Sequence, residues 1–389
     1  MNMVKDGLLR FVNKPVDNIQ SSQTLYETLL TVINMDSLFN DKKYREMSYS
    51  IAQLIIKNQL EDGGFDIGYN FSFGKNMKKM NDKESTTPEI LSIYALIKFY
   101  DTYHEEFVIP SIKKGIDWIK NNSYKTNKMC WVIPYAPCSY TQVHITNGIS
   151  FAVSTLTYYM AVFQDSSVKG ICDGMFRYMR EELICHNEVG YWNYFEKDLM
   201  KDPYYIKIDN YHIAQQLYYH IQANKFYNNA DNYETIEYVS NYLKEKLNHS
   251  LNVPYIEVKE KKSTDIHTWG YCALLSCSLY WNDRSKTIEI RDYMYKYMWN
   301  QTYFYPVIKG NGIIVENEYY PRSDAWILHS MSDYLTIYNN DEEIRELIDI
   351  GLDRLKACNY IGAENHVLTY RKILFNNAVA LYKKITMRR

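Results

Sequence analysis

A chain of 389 residues, 46% of them hydrophobic, is long enough for a large core. Its formal net charge of −2 lacks the basic excess of a general nucleic-acid or anionic-membrane binder, and runs such as Lys259-Glu-Lys-Lys262 are short and mixed with acids. No stretch reaches the about 18 apolar residues of a membrane span, the first residues lack a secretory signal pattern, and seven cysteines without a C-x-x-C pair fit a reducing cytoplasm.

In chain order, 1–20 reads as an N-terminal extension packing on the rest of the chain. Apolar-periodic segments then cover about 23–34 and 44–60. A polar and aromatic loop from Glu61-Asp-Gly-Gly-Phe65 ends at Ser85-Thr-Thr-Pro-Glu89, a helix start with Ser/Thr caps, proline in the first turn and an early acid. Helices are expected to about Tyr103 and over about 109–122. The cycle repeats. A loop with Trp131 leads to helices near 147–163 and 167–184, and the stretch 185–210 leads to helices near 211–223 and 231–248. Further loops lead to helices near 266–281 and 284–299, then 323–338 and 341–356, with a last helix near 370–386.

The first helices of these pairs begin near 23, 87, 147, 211, 266 and 323, a regular repeat. Links within a pair are short and links between pairs are long and aromatic. Short links make antiparallel neighbours, so the long loops gather at one end. The expected fold is all-α: an (α/α)6 toroid spanning 1–389 as one domain, with the helices after the long loops on the inside. An open solenoid of helix pairs is the competing geometry.

This arrangement gathers scattered residues at one mouth. The inner-helix starts carry Glu89, His144 with Asn147, Asp209 with Tyr211 and His212, Asp265 with His267 and Trp269, and Arg322 with Asp324 and Trp326. Phe65, Trp131, Trp192, Tyr194, Tyr255 and Tyr305 are expected to wall it. Aromatic faces with carboxylates, amides and an arginine suit a sugar, which stacks its apolar face and hydrogen-bonds its hydroxyls. Asp209, Asp265 and Ser323 also suit plain N-caps worth about 1 kcal/mol each. Capping does not account for three histidines and an arginine at the same register.

The motifs Gly190-Tyr-Trp-Asn-Tyr194, Ile208-Asp-Asn-Tyr-His212, Asp265-Ile-His267 and Arg322-Ser-Asp-Ala-Trp326 resemble, in that order, helical toroid proteins of bacterial polysaccharide loci. Asn147-Gly-Ile-Ser-Phe-Ala-Val-Ser-Thr-Leu156 is distantly similar to a helix of the glucuronyl C5-epimerase C-terminal domain, with Asn in place of the leading Gln. Gln59-Leu-Glu-Asp-Gly-Gly-Phe65 resembles the repeat turn of squalene-cyclase-like toroids. The resemblance implies a toroid and carbohydrate processing, and leaves the reaction open.

The leading expectation is an enzyme that removes the C5 proton of a uronate-containing polysaccharide or glycoconjugate, by epimerisation or β-elimination. Tyr211 or His212 is the expected base, His267 or His144 the partner acid, with Asp209 and Asp265 beside them. Arg322 is expected to hold the carboxylate, with Asp324, Glu89 and Asn147 binding nearby. A glycoside hydrolase using paired rim carboxylates is the alternative enzyme. A non-catalytic glycan binder uses the same rim, and a terpenoid cyclase fits less well because no D-x-D-D or D-D-x-x-D motif occurs. No cofactor is expected, since no G-x-G-x-x-G or P-loop follows a strand pattern, and no metal, since Cys185-His186 lacks ligand spacing.

Overall fold

Residues that end a helix in the left-handed region and then cap the next one make the hairpins of this chain. Asn40 closes the first helix at φ 48°, and Asp41 at once accepts the Lys43 N–H to open the second. His104 and Gln164 end later helices in the same left-handed way. The computed structural model describes residues 20–362 and 378, apart from 69–70, 74–76, 80–82, 127, 138–143, 259–260 and 263–264. The expected extension before Gln20 and the helix near 370–386 lie outside the described residues, residue 378 alone excepted.

Twelve α-helices among the described residues form six hairpins. They are α1 (Ser22–Phe39) with α2 (Lys42–Asn58), α3 (Leu91–Tyr103) with α4 (Ile109–Asn122), and α5 (Thr146–Phe163) with α6 (Lys169–Glu181). The other three are α7 (Asn210–Phe226) with α8 (Ala230–His249), α9 (Gly270–Tyr280) with α10 (Arg284–Tyr293), and α11 (Pro321–Leu335) with α12 (Glu342–Ala357). The first helix of each pair packs on the first helix of the next, and α11 packs back on α1. The solenoid alternative is thereby excluded, and the chain forms a closed (α/α)6 ring. None of the described helices is long and apolar enough to cross a membrane.

Burial follows the two shells. The inner α5 and α9 are buried almost all round, whereas the outer α6 and α12 bury one stripe against the inner ring. The long loops carry short antiparallel strands that an all-α reading omits. Strand β1 (Ile208–Asp209) pairs with β2 (Ile256–Val258). The strands β3 (Asp265–His267), β4 (Val307–Lys309) and β5 (Ile314–Glu316) form a second small sheet in that order. Each sheet ties the loop before one inner helix to the loop before the next.

Each inner helix sends one stripe down the bore. On α7 it runs through His212 and Gln215, then Tyr219, then Gln222 and Lys225, at the three-to-four residue spacing of one helix face. Tyr219 packs edge-on against Phe151, which lines an upper cavity at the long-loop end, and against Tyr94, which lines a lower cavity at the other end.

Close approach of α7 and α9 depends on Gly270, where a Cβ would come within 2.1 Å of the Tyr211 ring. Gly270→Ala is therefore expected to cost about 1–3 kcal/mol through overpacking. Urea unfolding of the variant checks this, and a midpoint equal to that of the parent would refute the tight seam.

Candidate functional site

At the long-loop end, the inner-helix N-termini and the small sheets enclose a cavity of about 500 Å³. Its wall includes Glu89, Asn147, Tyr194, His212, His267, Trp269, Arg322 and Trp326, all placed there by the sequence reading. Lys207, Gln215 and Glu316 also line it, and sequence reasoning missed them.

Asp209 organises one side. As the N-cap of α7, it accepts the His212 backbone N–H through Oδ1 at 3.1 Å. Its Oδ2 stands 2.8 Å from His212 Nδ1 and 3.2 Å from Lys207 Nζ. The His212 contact is close but out of line for an ideal hydrogen bond. Burial alone would raise the Asp209 carboxyl, but the adjacent His212 and Lys207 outweigh it and hold the group below the usual carboxylate value. Asp209 itself is buried behind the cavity wall. The Lys207 ammonium also lies 3.9 Å from the centre of the Tyr194 ring, a cation–π contact.

The β3–β4–β5 sheet supplies the other side. His267 pairs with Val307, and Val307 with Glu316, so the three side chains share one face, and all three line the cavity. Burial pushes the His267 imidazole below its ordinary value against the opposing pull of Glu316, Asp265 and Asp209, which keeps the ring neutral at pH 7. Two tryptophans form a platform between the sides: the rings of Trp269 and Trp326 stack at 5.1 Å and 19°. His212 meets Trp269 at 5.3 Å, and His267 meets Tyr255 at 4.9 Å, so both histidines join one aromatic wall. Tyr255 in turn packs on Trp269 at 5.5 Å.

Glu89 and Arg322 complete the cavity. The Glu89 carboxyl is buried and its Oε2 has no partner among the described residues. Burial, opposed by Arg322, pushes its pKa up to about 8. Arg322 sits in the first turn of α11 and its Nη2 donates to the Tyr320 hydroxyl at 3.3 Å. Asn147 Oδ1 also lacks a partner among the described residues, and the residue lines the same cavity.

Other expected site residues lie elsewhere. Tyr211 is fully buried away from the cavity, its hydroxyl donating to the Val253 carbonyl at 2.9 Å, so the structure does not support it as a base. His144 is likewise outside: its ring nitrogens are engaged by Glu196 at 2.9 Å and Tyr124 at 2.6 Å. Asp324 accepts the Phe304 N–H at 3.2 Å beneath the surface, and Asp265 does not reach the cavity wall. Trp192 is core, donating from Nε1 to the Met179 carbonyl, and Phe65 is core as well. Trp131 packs over Gly174 of the outer helix α6, and Tyr305 also lines no part of this cavity.

No protein-family model matches the chain, and no curated protein matches it. Solved structures do. Cellobiose 2-epimerase from Bacillus thermoamylovorans aligns over 81% of this chain and 88% of its own, at 10% identity and a TM-score of 0.62. A family 76 glycoside hydrolase (mannosidase) from Bacteroides thetaiotaomicron aligns over 84% and 92%, at 11% identity and a TM-score of 0.57. A family 105 glycoside hydrolase from C. acetobutylicum aligns over 83% and 96%, at 11% identity and a TM-score of 0.58. The shared feature is the (α/α)6 toroid. At these identities the likeness is one of fold.

The buried Glu89 carries a stability prediction. Its folded-state pKa, about 8 against an ordinary 4.5, means that the folded chain binds the proton more tightly than the unfolded one. The resulting stability is present in full below the ordinary value and is lost as pH rises through about 8. Glu89→Gln keeps a neutral group and escapes that loss. The variant's advantage over the parent should grow between these two pH values at up to about 1.4 kcal/mol per unit. Urea melts across this range check it, and a gap independent of pH would contradict the assignment.

Proposed function

We propose that the protein is a carbohydrate-active enzyme that abstracts and returns a proton on a sugar carbon next to a carboxylate or carbonyl. The single observation that carries this reading is the pair of cavity histidines on one aromatic wall, one oriented by buried Asp209 and the other held neutral by burial. The stacked Trp269 and Trp326 offer a sugar ring an apolar platform. Proteins with the same fold include a sugar epimerase and glycoside hydrolases, which is consistent with carbohydrate as the substrate class.

In this reading neutral His267 accepts the carbon-bound proton and His212, at the other end of the Trp269–Tyr255 contact, delivers one to the opposite face. Arg322 binds the carboxylate and stabilises the enolate formed between the two steps. A uronate is the preferred substrate, because its C6 carboxylate both acidifies the C5 proton and matches a guanidinium. Epimerisation results when the proton returns, and elimination when the C4 substituent leaves instead.

A second reading, hydrolysis, is favoured by one observation. Glu89 has a pKa of about 8 and so carries its proton at pH 7, as a general acid must. Glu316 is the other glutamate on the cavity wall.

Incubation with uronate oligosaccharides in D₂O separates the readings. Epimerisation places deuterium at C5 of product or recovered substrate and elimination gives a product unsaturated between C4 and C5, whereas hydrolysis releases saturated reducing ends with no exchange at carbon. His212→Ala and Arg322→Ala are each expected to lower kcat/KM by about 100-fold or more with an unchanged circular dichroism spectrum. Exchange that persists at the parent rate in both would sink the assignment.

The pH profile supplies another check. Because His267 must be neutral to accept a proton, kcat/KM should fall on acidification only below the ordinary histidine value of 6.5. If Glu89 also acts as a donor, activity declines as pH rises through about 8, and Glu89→Gln abolishes that alkaline limb. A single acid limb at or above 6.5 would instead show that His267 is not the base.

A further inference from the structure

The bore opens at both ends, and the proposed reaction uses only one. At the end away from the long loops, the C-terminal halves of the inner helices surround a cavity of about 370 Å³. Lys98 of α3 and Lys225 of α7 both line it, together with Gln222, Phe226 and Tyr280. Neither lysine forms an ion pair with a described residue. Lys225 Nζ donates to Gln222 Oε1 at 2.9 Å, and the Lys98 ammonium makes no hydrogen bond with a described residue.

The one carboxylate among the described residues of the cavity wall is already engaged. Asp333 accepts from Asn34 Nδ2 at 2.9 Å, the Tyr218 hydroxyl at 3.0 Å and the Ser276 hydroxyl at 3.4 Å. Helix-end compensation accounts for Lys225, which stands in the last turn of α7. It does not account for Lys98, which lies before the last turn of α3. Burial pushes the Lys225 ammonium below the ordinary lysine value although the side chain keeps solvent contact; Asp333 opposes this and the nearby Lys98 charge adds to it. The two cations thus share the wall of one small cavity. An anion placed between them offsets their like charge. Phe226 and exposed Tyr280 give the body of such a ligand aromatic faces to pack on.

We propose that this second cavity is a binding site for a small polyhydroxylated ligand carrying one oxyanion, a phosphate or a carboxylate, gripped between Lys98 and Lys225. Its volume suits a single sugar unit rather than a polymer. The proposal is independent of the reaction in the upper cavity.

Isothermal titration calorimetry on the full chain tests it, with glucose 6-phosphate, glucuronate and uncharged glucose as probes. The titrations use an Arg322→Ala background, which removes the anion contact of the upper cavity. At least one charged probe should bind more tightly than glucose, and the stronger of the two identifies the preferred oxyanion. Lys98→Ala and Lys225→Ala should each weaken that binding by about tenfold or more at low salt. Lys98→Gln and Lys225→Gln, which keep much of the aliphatic stem, serve if an alanine variant fails to fold. The proposal is overturned if no charged probe binds in this background, or if binding is unchanged when either lysine is neutralised. A parent chain that shows neither turnover nor carbon exchange on uronate substrates, with lysine-dependent binding retained, would overturn the upper-cavity reading alone.

Discussion

The ring depends on how its last inner helix meets its first. Glu27 of α1 and His329 of α11 join at 2.6 Å in the interior, and Asn34 bonds Ser332 and Asp333 nearby. Burial raises the Glu27 carboxyl above its ordinary value against the pull of His329. Burial would lower His329, but Asp333 and Glu27 outweigh it and raise the imidazole. The contact thus favours a proton on His329 and offsets part of the cost of burying the Glu27 carboxyl. A buried pair of this kind adds little net stability, yet losing one partner costs about 3–5 kcal/mol. That asymmetry suits an element that selects how α11 docks on α1. Apolar side chains alone would permit neighbouring alignments of the two helices, whereas an unpartnered Glu27 penalises each of them.

Closure is also what turns helix periodicity into a site. Successive residues on a helix point about 100° apart, so only one stripe of each inner helix faces the bore. On α11, Arg322 and Trp326 are one turn apart and share that stripe, while Asp324 points back to the Phe304 N–H. On α7, His212 faces the cavity and its neighbour Tyr211 turns into the seam with Gly270. The repeat in the sequence therefore revealed which helix starts converge. It did not reveal the rotation of each helix, and residues adjacent in sequence were credited alike. His144 shows a different gap: it precedes the first turn of α5, where Tyr124 and Glu196 from other segments claim both ring nitrogens.

The residues missed from sequence come from pairing across the chain. Glu316 reaches the cavity because β5 lies beside β4 and β4 beside β3, a register set by loops remote in sequence. Lys207 had a local signal, its placement two residues before Asp209 in an extended stretch, which puts both side chains on one side. Asp209 shows why capping and function were hard to separate in the sequence. One carboxylate oxygen caps α7, and the other holds His212 and Lys207. The residue is both a structural cap and the support of the histidine, so choosing between those roles was a false choice.

The cavity's chemistry then arises from unequal desolvation. Glu89, His267 and Asp209 are all withdrawn from water, but their neighbours differ. Glu89 has Arg322 near it without a hydrogen-bond partner for Oε2 among the described residues, so desolvation prevails and it keeps its proton. Asp209 has two basic groups in direct contact, so attraction prevails and it stays ionised. His267 faces carboxylates too weakly coupled to overcome its burial, so it stays neutral. A proton-bearing acid and a proton-free base consequently coexist at neutral pH in one cavity, although free glutamate and histidine order the other way. Inverting that order costs folding free energy, and the ring must supply it through the packing of the inner helices. A cavity that served only to fill space between those helices would place uncharged side chains at these positions and avoid the cost.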